Sequence, residues 1–133
     1  MPRQRPTDDV IFLEFTRVHP AAEAWRKVLH LGSRLHFPRG AEILFQGQSG
    51  QAIYFLEQGE VRMVRFSQEG REKILWSGGP GTLFGETPFF DETPQRSTFV
   101  AAKDCIARAF PRRVVLEQIL PSQPDLVLAL FRS

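Results

Sequence analysis

Between Gly85 and Thr98 the chain reads GETPFFDETPQRST, opening with a glycine and a carboxylate and closing with a guanidinium and two hydroxyls, Arg96, Ser97 and Thr98. The middle carries a helix-start signal. Thr87 is a capping residue type, and Pro88 suits the first helical position, where its missing N–H costs nothing. Phe89 and Phe90 are expected to bury one side of a single helical turn. The free N–H groups of such a turn attract phosphate, over which Arg96 and Ser97 can close with charge-assisted hydrogen bonds. A carboxylate repels an anion, so the partner of Glu86 in the same pocket is a hydroxyl such as a sugar 2′-OH. Phosphate at one end and ribose hydroxyl at the other describe a nucleotide. A plainer arrangement uses the same residues: Glu86 pairs with Arg96 across a sheet edge while Ser97 and Thr98 open a strand.

Such a site needs a frame, and the chain has the length for one. Its 133 residues suffice for a single domain around one core without covalent staples. The single cysteine, Cys105, rules out an intrachain disulfide and any four-thiolate metal or iron–sulfur site within one chain, and it fits a reducing cytosol. It is expected to be buried and inert. Seventeen basic and fifteen acidic residues leave a net charge of +2. Apart from Arg112-Arg113 and the Arg3/Arg5 leader the basic residues are dispersed, without the stripe that marks a nucleic-acid surface. No apolar stretch approaches the ~20 residues needed to span a bilayer, and no signal-peptide pattern opens the chain, so a cytoplasmic location without a membrane partner is expected.

The elements fall into three segments, 1–31, 32–110 and 111–133, read together as one effector-sensing unit, 1–133. Met1 to Pro6 is a polar, proline-broken leader. Thr7, followed by Asp8 and Asp9, is expected to start a short helix, and Pro20 to Leu31 a second one with Trp25, Val28 and Leu29 near one face and Gly32 at its end. All ten glycines lie between Gly32 and Gly85, spaced among short apolar runs, which marks a turn-rich β fold. Strands are expected at Arg34–Phe37, Glu42–Phe45, Ala52–Leu56, Glu60–Phe66, Arg71–Trp76, Ser97–Ala102 and Cys105–Phe110, with a short run at Leu83-Phe84. About eight antiparallel strands at this spacing imply a closed barrel or jelly roll. Helix returns from Pro111 to Leu120, and Ser122 with Pro124 is expected to start another. There Leu126 to Phe131 are apolar around the full circumference, more than one subunit is expected to cover.

Taken in order, Phe37-Pro38-Arg39-Gly40, Glu42-Ile43, Gly47, Tyr54-Phe55-Leu56, Gly59-Glu60-Val61, Gly70, Gly81, Phe84-Gly85-Glu86 and Arg96-Ser97 resemble the cyclic nucleotide-binding domain, specifically the N-terminal effector domain of Crp/Fnr-type bacterial transcription regulators. The resemblance covers the chain from about Arg34 onward. It implies an antiparallel β jelly roll (double-stranded β-helix) with flanking helices and a phosphate-binding cassette at 85–98. It also implies a ligand set of Gly85, Glu86, Thr87, Arg96, Ser97 and Thr98, in which Glu86 and the Gly85 backbone hold the ribose 2′-OH while Arg96 and Ser97 hold the phosphate. The effector it implies is a cyclic nucleotide, cyclic AMP first, with no separate cofactor and no enzymatic activity. Further partners are a second copy of the chain, through the C-terminal helix, and DNA, through a helix-turn-helix domain that this sequence lacks. The chain is therefore expected to be the sensor part of a longer transcription factor, with a stand-alone sensor as the alternative.

Two departures accompany the resemblance: the long dimerisation helix and helix-turn-helix domain of such regulators are not in this sequence, and the cassette itself differs. Where members that bind cyclic AMP carry a small residue and then an aliphatic one, this chain has Pro88-Phe89, and the rings of Phe89 and Phe90 are expected to alter the pocket floor. Relatives on the same fold also sense haem-bound gases or aromatic acids. His19, His30, His36, Cys105 and Met63 are the residue types able to ligate haem, though none is marked out. A cupin-type metalloenzyme on a similar roll needs two or three histidines inside the barrel, whereas His36 is the only one in the strand region and no His-x-His pair exists.

Overall fold

The computed structural model describes residues 22–86, 89 and 92–132. The leader, the helix expected from Thr7, and His19, Pro20, Thr87, Pro88 and Phe90 lie outside the described residues. Helix α1 (Ala22–Trp25) tightens into a 3₁₀ segment over Arg26–Leu31. It ends where expected, the Gly32 N–H donating to the Leu29 carbonyl.

Eight strands follow among the described residues: β1 (Ser33–Phe37), β2 (Glu42–Leu44), β3 (Ala52–Gln58), β4 (Val61–Phe66), β5 (Glu72–Gly78), β6 (Leu83–Phe84), β7 (Thr98–Ala101) and β8 (Cys105–Pro111). They form two four-stranded antiparallel sheets in the orders β1-β8-β3-β6 and β2-β7-β4-β5. This is the expected jelly roll. Most turns between strands hold glycine at positive φ, as at Gly40, Gly47, Gly59, Gly70 and Gly81. Gly59 has a second reason to be glycine: a Cβ there would sit 2.4 Å from the Asp104 carbonyl oxygen and 2.7 Å from the Cys105 Sγ.

The core has two compartments, and β3 divides them. Its side chains alternate, so Ile53 and Phe55 pack against Trp25, Phe110 and the C-terminal helices, while Tyr54 and Leu56 face the barrel interior with Ile43, Leu44, Phe84, Phe99 and Ala107. Burial on both faces explains why 52–56 reads as a continuous apolar run. Cys105 is buried in the barrel, its thiol 3.2 Å from the carbonyls of Glu60 and Lys103, and burial pushes its pKa up, in keeping with an inert thiol.

Helix α2 (Arg112–Val114) widens into a π turn over Val115–Ile119, closed by the Leu120 N–H on the Val115 carbonyl. Ser122 ends this helix instead of starting the next, its hydroxyl donating back to the Gln118 carbonyl at 2.8 Å. Helix α3 (Pro124–Leu128), with Pro124 in its first turn, continues as a 3₁₀ segment over Ala129–Arg132. The expectation that one subunit cannot shield this apolar segment needs correction. Leu126, Val127 and Leu130 are buried within the chain, and the Trp25 indole Nε1–H donates to the Leu126 carbonyl at 3.2 Å. Of the described side chains here, Leu128 is left exposed, as is Leu116 on the preceding helix.

Candidate functional site

A cavity of about 290 Å³ opens into the barrel where β6 ends and β7 begins. Gly85 and Glu86 reach it from the first of these strands, Arg96 and Ser97 from the approach to the second. Glu86 and Arg96, ten apart in sequence, thus line one cavity.

Gly85 makes this entry possible. Its φ is +83°, and a Cβ would lie 2.9 Å from Leu44 Cδ1 and 3.3 Å from the Ala52 carbonyl oxygen. Glu86 then turns into helix, and Phe89 is helical as well. Burial pushes the Glu86 carboxyl pKa up, its own backbone N–H pulling part of the way back. Among the described residues no ion pair joins Glu86 to Arg96 or engages Arg96 at all, so the plain surface pair is absent. The two opposite charges face one cavity, Glu86 accepting from its own N–H and Arg96 without an ion pair among the described residues.

Ser97 is buried and lines the cavity. Thr98 does not line it; it opens β7 with its hydroxyl accepting the Gln46 N–H at 3.1 Å, a bond that ties β7 to the end of β2. Thr87 lies outside the described residues. Phe89 is fully buried, but on the helix side of the sheet beside Trp25, Val115 and Ile119, so its ring does not form the pocket floor.

The floor is instead made of residues that motif reading passed over. Met63, Trp76, Leu83, Phe84 and Phe99 line it. Phe84 stacks on Phe99 at 5.2 Å between centroids, and Phe99 meets Trp76 edge-on at 5.7 Å. Trp76 is set beside Met63 by a bulge, since Met63 pairs with Trp76 and Val64 with Ile74, leaving Leu75 as the extra residue. Arg65 and Gln95 complete the polar lining toward the mouth. A signal for Arg65 was present: Val61, Met63 and Arg65 share one face of β4 by alternation, so a charge stands in line with two inward residues. Of the haem-competent residues named above, Met63 lines the cavity, His30 and His36 are exposed, and Cys105 is buried away from it. Among the described residues no helix is long and apolar enough to cross a membrane.

The model of the family described as cyclic nucleotide-binding domain matches residues 34–121. The cyclic AMP receptor protein of Thermus thermophilus is 41% identical over 68 residues, which are 51% of this chain and 32% of that protein. A CRP-like cAMP-activated global transcriptional regulator of Mycobacterium tuberculosis is 30% identical over 96 residues, 72% of this chain and 42% of its own length. The crystal structure of the Thermus thermophilus catabolite activator protein superimposes with a TM-score of 0.75 at 33% identity, over 83% of this chain and 51% of that one. The chain thus spans less than half the length of these curated relatives.

Proposed function

Because the chain belongs to the cyclic nucleotide-binding domain family, with Crp/Fnr-type transcription regulators as its homologues, we propose that it binds a cyclic nucleotide in this cavity and relays occupancy to DNA binding. Cyclic AMP, named in both curated relatives, is the first effector to test. The observation that carries the reading is the convergence of Glu86, Arg96 and Ser97 on one cavity, with no ion pair between the first two.

Each group has a role that its chemistry allows. The Arg96 guanidinium and the Ser97 hydroxyl donate to the cyclic phosphate. Glu86 accepts from the ribose 2′-OH, beside the Gly85 backbone. Trp76, Phe84 and Phe99 give the nucleoside an apolar surface to lie on. The C-terminal helices, packed on the opposite face of the β1-β8-β3-β6 sheet, are the route by which occupancy reaches a second copy of the chain and, in a longer protein, a DNA-binding domain.

Isothermal calorimetry with cyclic AMP and linear 5′-AMP tests the reading. Linear AMP carries an added charge and a free 3′-OH, so the cyclic form is expected to bind at least tenfold more tightly. Equal affinity for both, or none for any cyclic nucleotide, would sink it.

A further inference from the structure

Arg96 and Ser97 have no regular structure of their own to hold them. The stretch from Glu92 to Ser97 belongs to no helix or strand, and β7 begins only at Thr98. Arg96 is exposed and its side chain makes no ion pair among the described residues, so the reach of its guanidinium is set by the placement of its backbone.

That backbone is bracketed by the turn at 45–48, which follows β2. Before the pair, the Gly47 N–H donates to the Gln95 carbonyl and the Gln95 N–H donates to the Gln48 carbonyl, both at 2.7 Å. After it, the Gln46 N–H donates to the Thr98 hydroxyl at 3.1 Å. Three bonds from one turn thus fix the residues on either side of Arg96 and Ser97.

Gln48 closes that turn twice. Its N–H donates to the Phe45 carbonyl and its side-chain Oε1 accepts the Phe45 N–H, both at 3.1 Å. Gly47 takes the positive φ, +91°, that the third position of such a turn calls for. The backbone bond is common to turns of this kind, whereas the side-chain bond is an addition that only certain residue types can make. Gln48 is half-buried and lines neither the cavity nor the open groove at its mouth, so a ligand held there is out of its contact.

We propose that Gln48 is a positioning residue for nucleotide binding: by locking the turn at 45–48, its side chain fixes Gln95 and Thr98 and so sets Arg96 and Ser97 where a cyclic phosphate meets both. The proposal rests on the nucleotide reading above and adds to it a residue outside the cavity. Binding groups held by a rigid supporting shell lose less on engaging a ligand than groups that must first be ordered. A brace with no bearing on the ligand would instead cost stability and leave affinity alone.

Calorimetry with cyclic AMP and cyclic GMP, together with melting of the empty domain, tests this on the wild type, Gln48→Met and Gln48→Glu. Methionine keeps the length of the side chain without the acceptor oxygen, and glutamate restores an acceptor. Gln48→Met is expected to weaken binding by roughly threefold to tenfold, the worth of one hydrogen bond. Gln48→Glu is expected to stay within about twofold of the wild type. On an Arg96→Lys background, where the guanidinium fork is already lost, Gln48→Met is expected to cost less than about twofold, because both changes act through one group. Unchanged affinity in Gln48→Met, with or without a lower melting temperature, would overturn the positioning role and leave the nucleotide reading standing. So would an equal loss on both backgrounds, or a loss in Gln48→Glu as large as in Gln48→Met. No binding of either nucleotide by the wild type would overturn both. Gln48→Ala, read in the same way, decides the matter if Gln48→Met folds poorly.

Discussion

The guanidinium of Arg112 lies 4.4 Å above the centroid of the Phe89 ring and donates a hydrogen bond to the Phe89 carbonyl. One side chain at the start of α2 thereby holds both the backbone and the ring of the cassette helix. Removing it as Arg112→Ala is expected to cost about 2–5 kcal/mol of stability, from a charged hydrogen bond of roughly 1.5–3 and a cation–π contact of roughly 0.5–2. Urea unfolding measures this. Arg112→Lys, which keeps a charge but loses the planar fork, is expected to recover only part, and a loss below about 0.5 kcal/mol for Arg112→Ala would mean that the contact is incidental.

Arg96→Lys separates binding from folding. Arg96 is exposed and has no ion pair among the described residues, so melting of the empty domain is expected to move little. Affinity for the cyclic nucleotide is expected to fall by roughly tenfold or more, since a lysine cannot present two parallel donors to a phosphate. Unchanged affinity would remove Arg96 from the ligand set.

Glu86 predicts a pH dependence with a definite sign. Burial raises its pKa in the folded state, so the folded domain holds this proton over a pH range in which the unfolded chain has released it. Folding stability from this group is therefore fully present below the ordinary carboxylate pKa and is lost as pH rises from there through the raised folded-state value. Glu86→Gln, which cannot ionise, is expected to melt higher than wild type at neutral pH and to match it in acid, while binding ligand more weakly. Melting curves from pH 3.5 to 7.5 check the crossover; a variant less stable at neutral pH would reverse the sign.

Gly85→Ala tests the entry to the site. The left-handed φ costs an alanine roughly 1–2 kcal/mol, and the 2.9 Å approach to Leu44 adds crowding. A melting temperature several degrees lower, with binding also reduced, is expected. Wild-type melting and affinity would show that the backbone has another way in.

For self-association the informative position is Leu128, not Leu130. Leu130 is buried within the chain, so Leu130→Glu is expected to unfold the C-terminal helices whether or not two chains meet. Leu128 is 49% exposed and Leu116 42% exposed. If the chain dimerises through these helices, Leu128→Glu is expected to raise the dissociation constant without lowering the monomer's melting temperature. Sedimentation velocity across a concentration series checks it, and a concentration-independent monomer in the wild type would discard this face as an interface.

What could be seen in the sequence, and what could not, divides along the range of the interactions involved. Strand ends were legible because six glycines sit at positive φ, a local demand that few other residues meet. Gly85, Glu86, Arg96 and Ser97 were legible as a set because each brings its own chemistry to a short stretch. Thr98 was read with the ligand set although it does not line the cavity, because nothing local distinguishes a hydroxyl that greets a ligand from one that accepts a distant Gln46 N–H. The burial of Leu126, Val127 and Leu130 depends on Trp25, about a hundred positions away, and so left no trace in the helix's own pattern. Arg65 was hidden differently, since a charge in a strand is ordinarily read as its solvent side.

The two tryptophans occupy opposite compartments. Trp25 is sealed between the sheet and the C-terminal helices with its indole N–H already bonded, while Trp76 borders the cavity. The molecule therefore carries two native fluorophores that answer different questions. Ligand entry changes the polarity around Trp76 and should move its emission, whereas Trp25 should stay blue-shifted until the helices leave the sheet. With Trp76→Phe and Trp25→Phe recorded side by side, pocket filling and helix release become separate optical signals, and their order in time can be read without attaching a label.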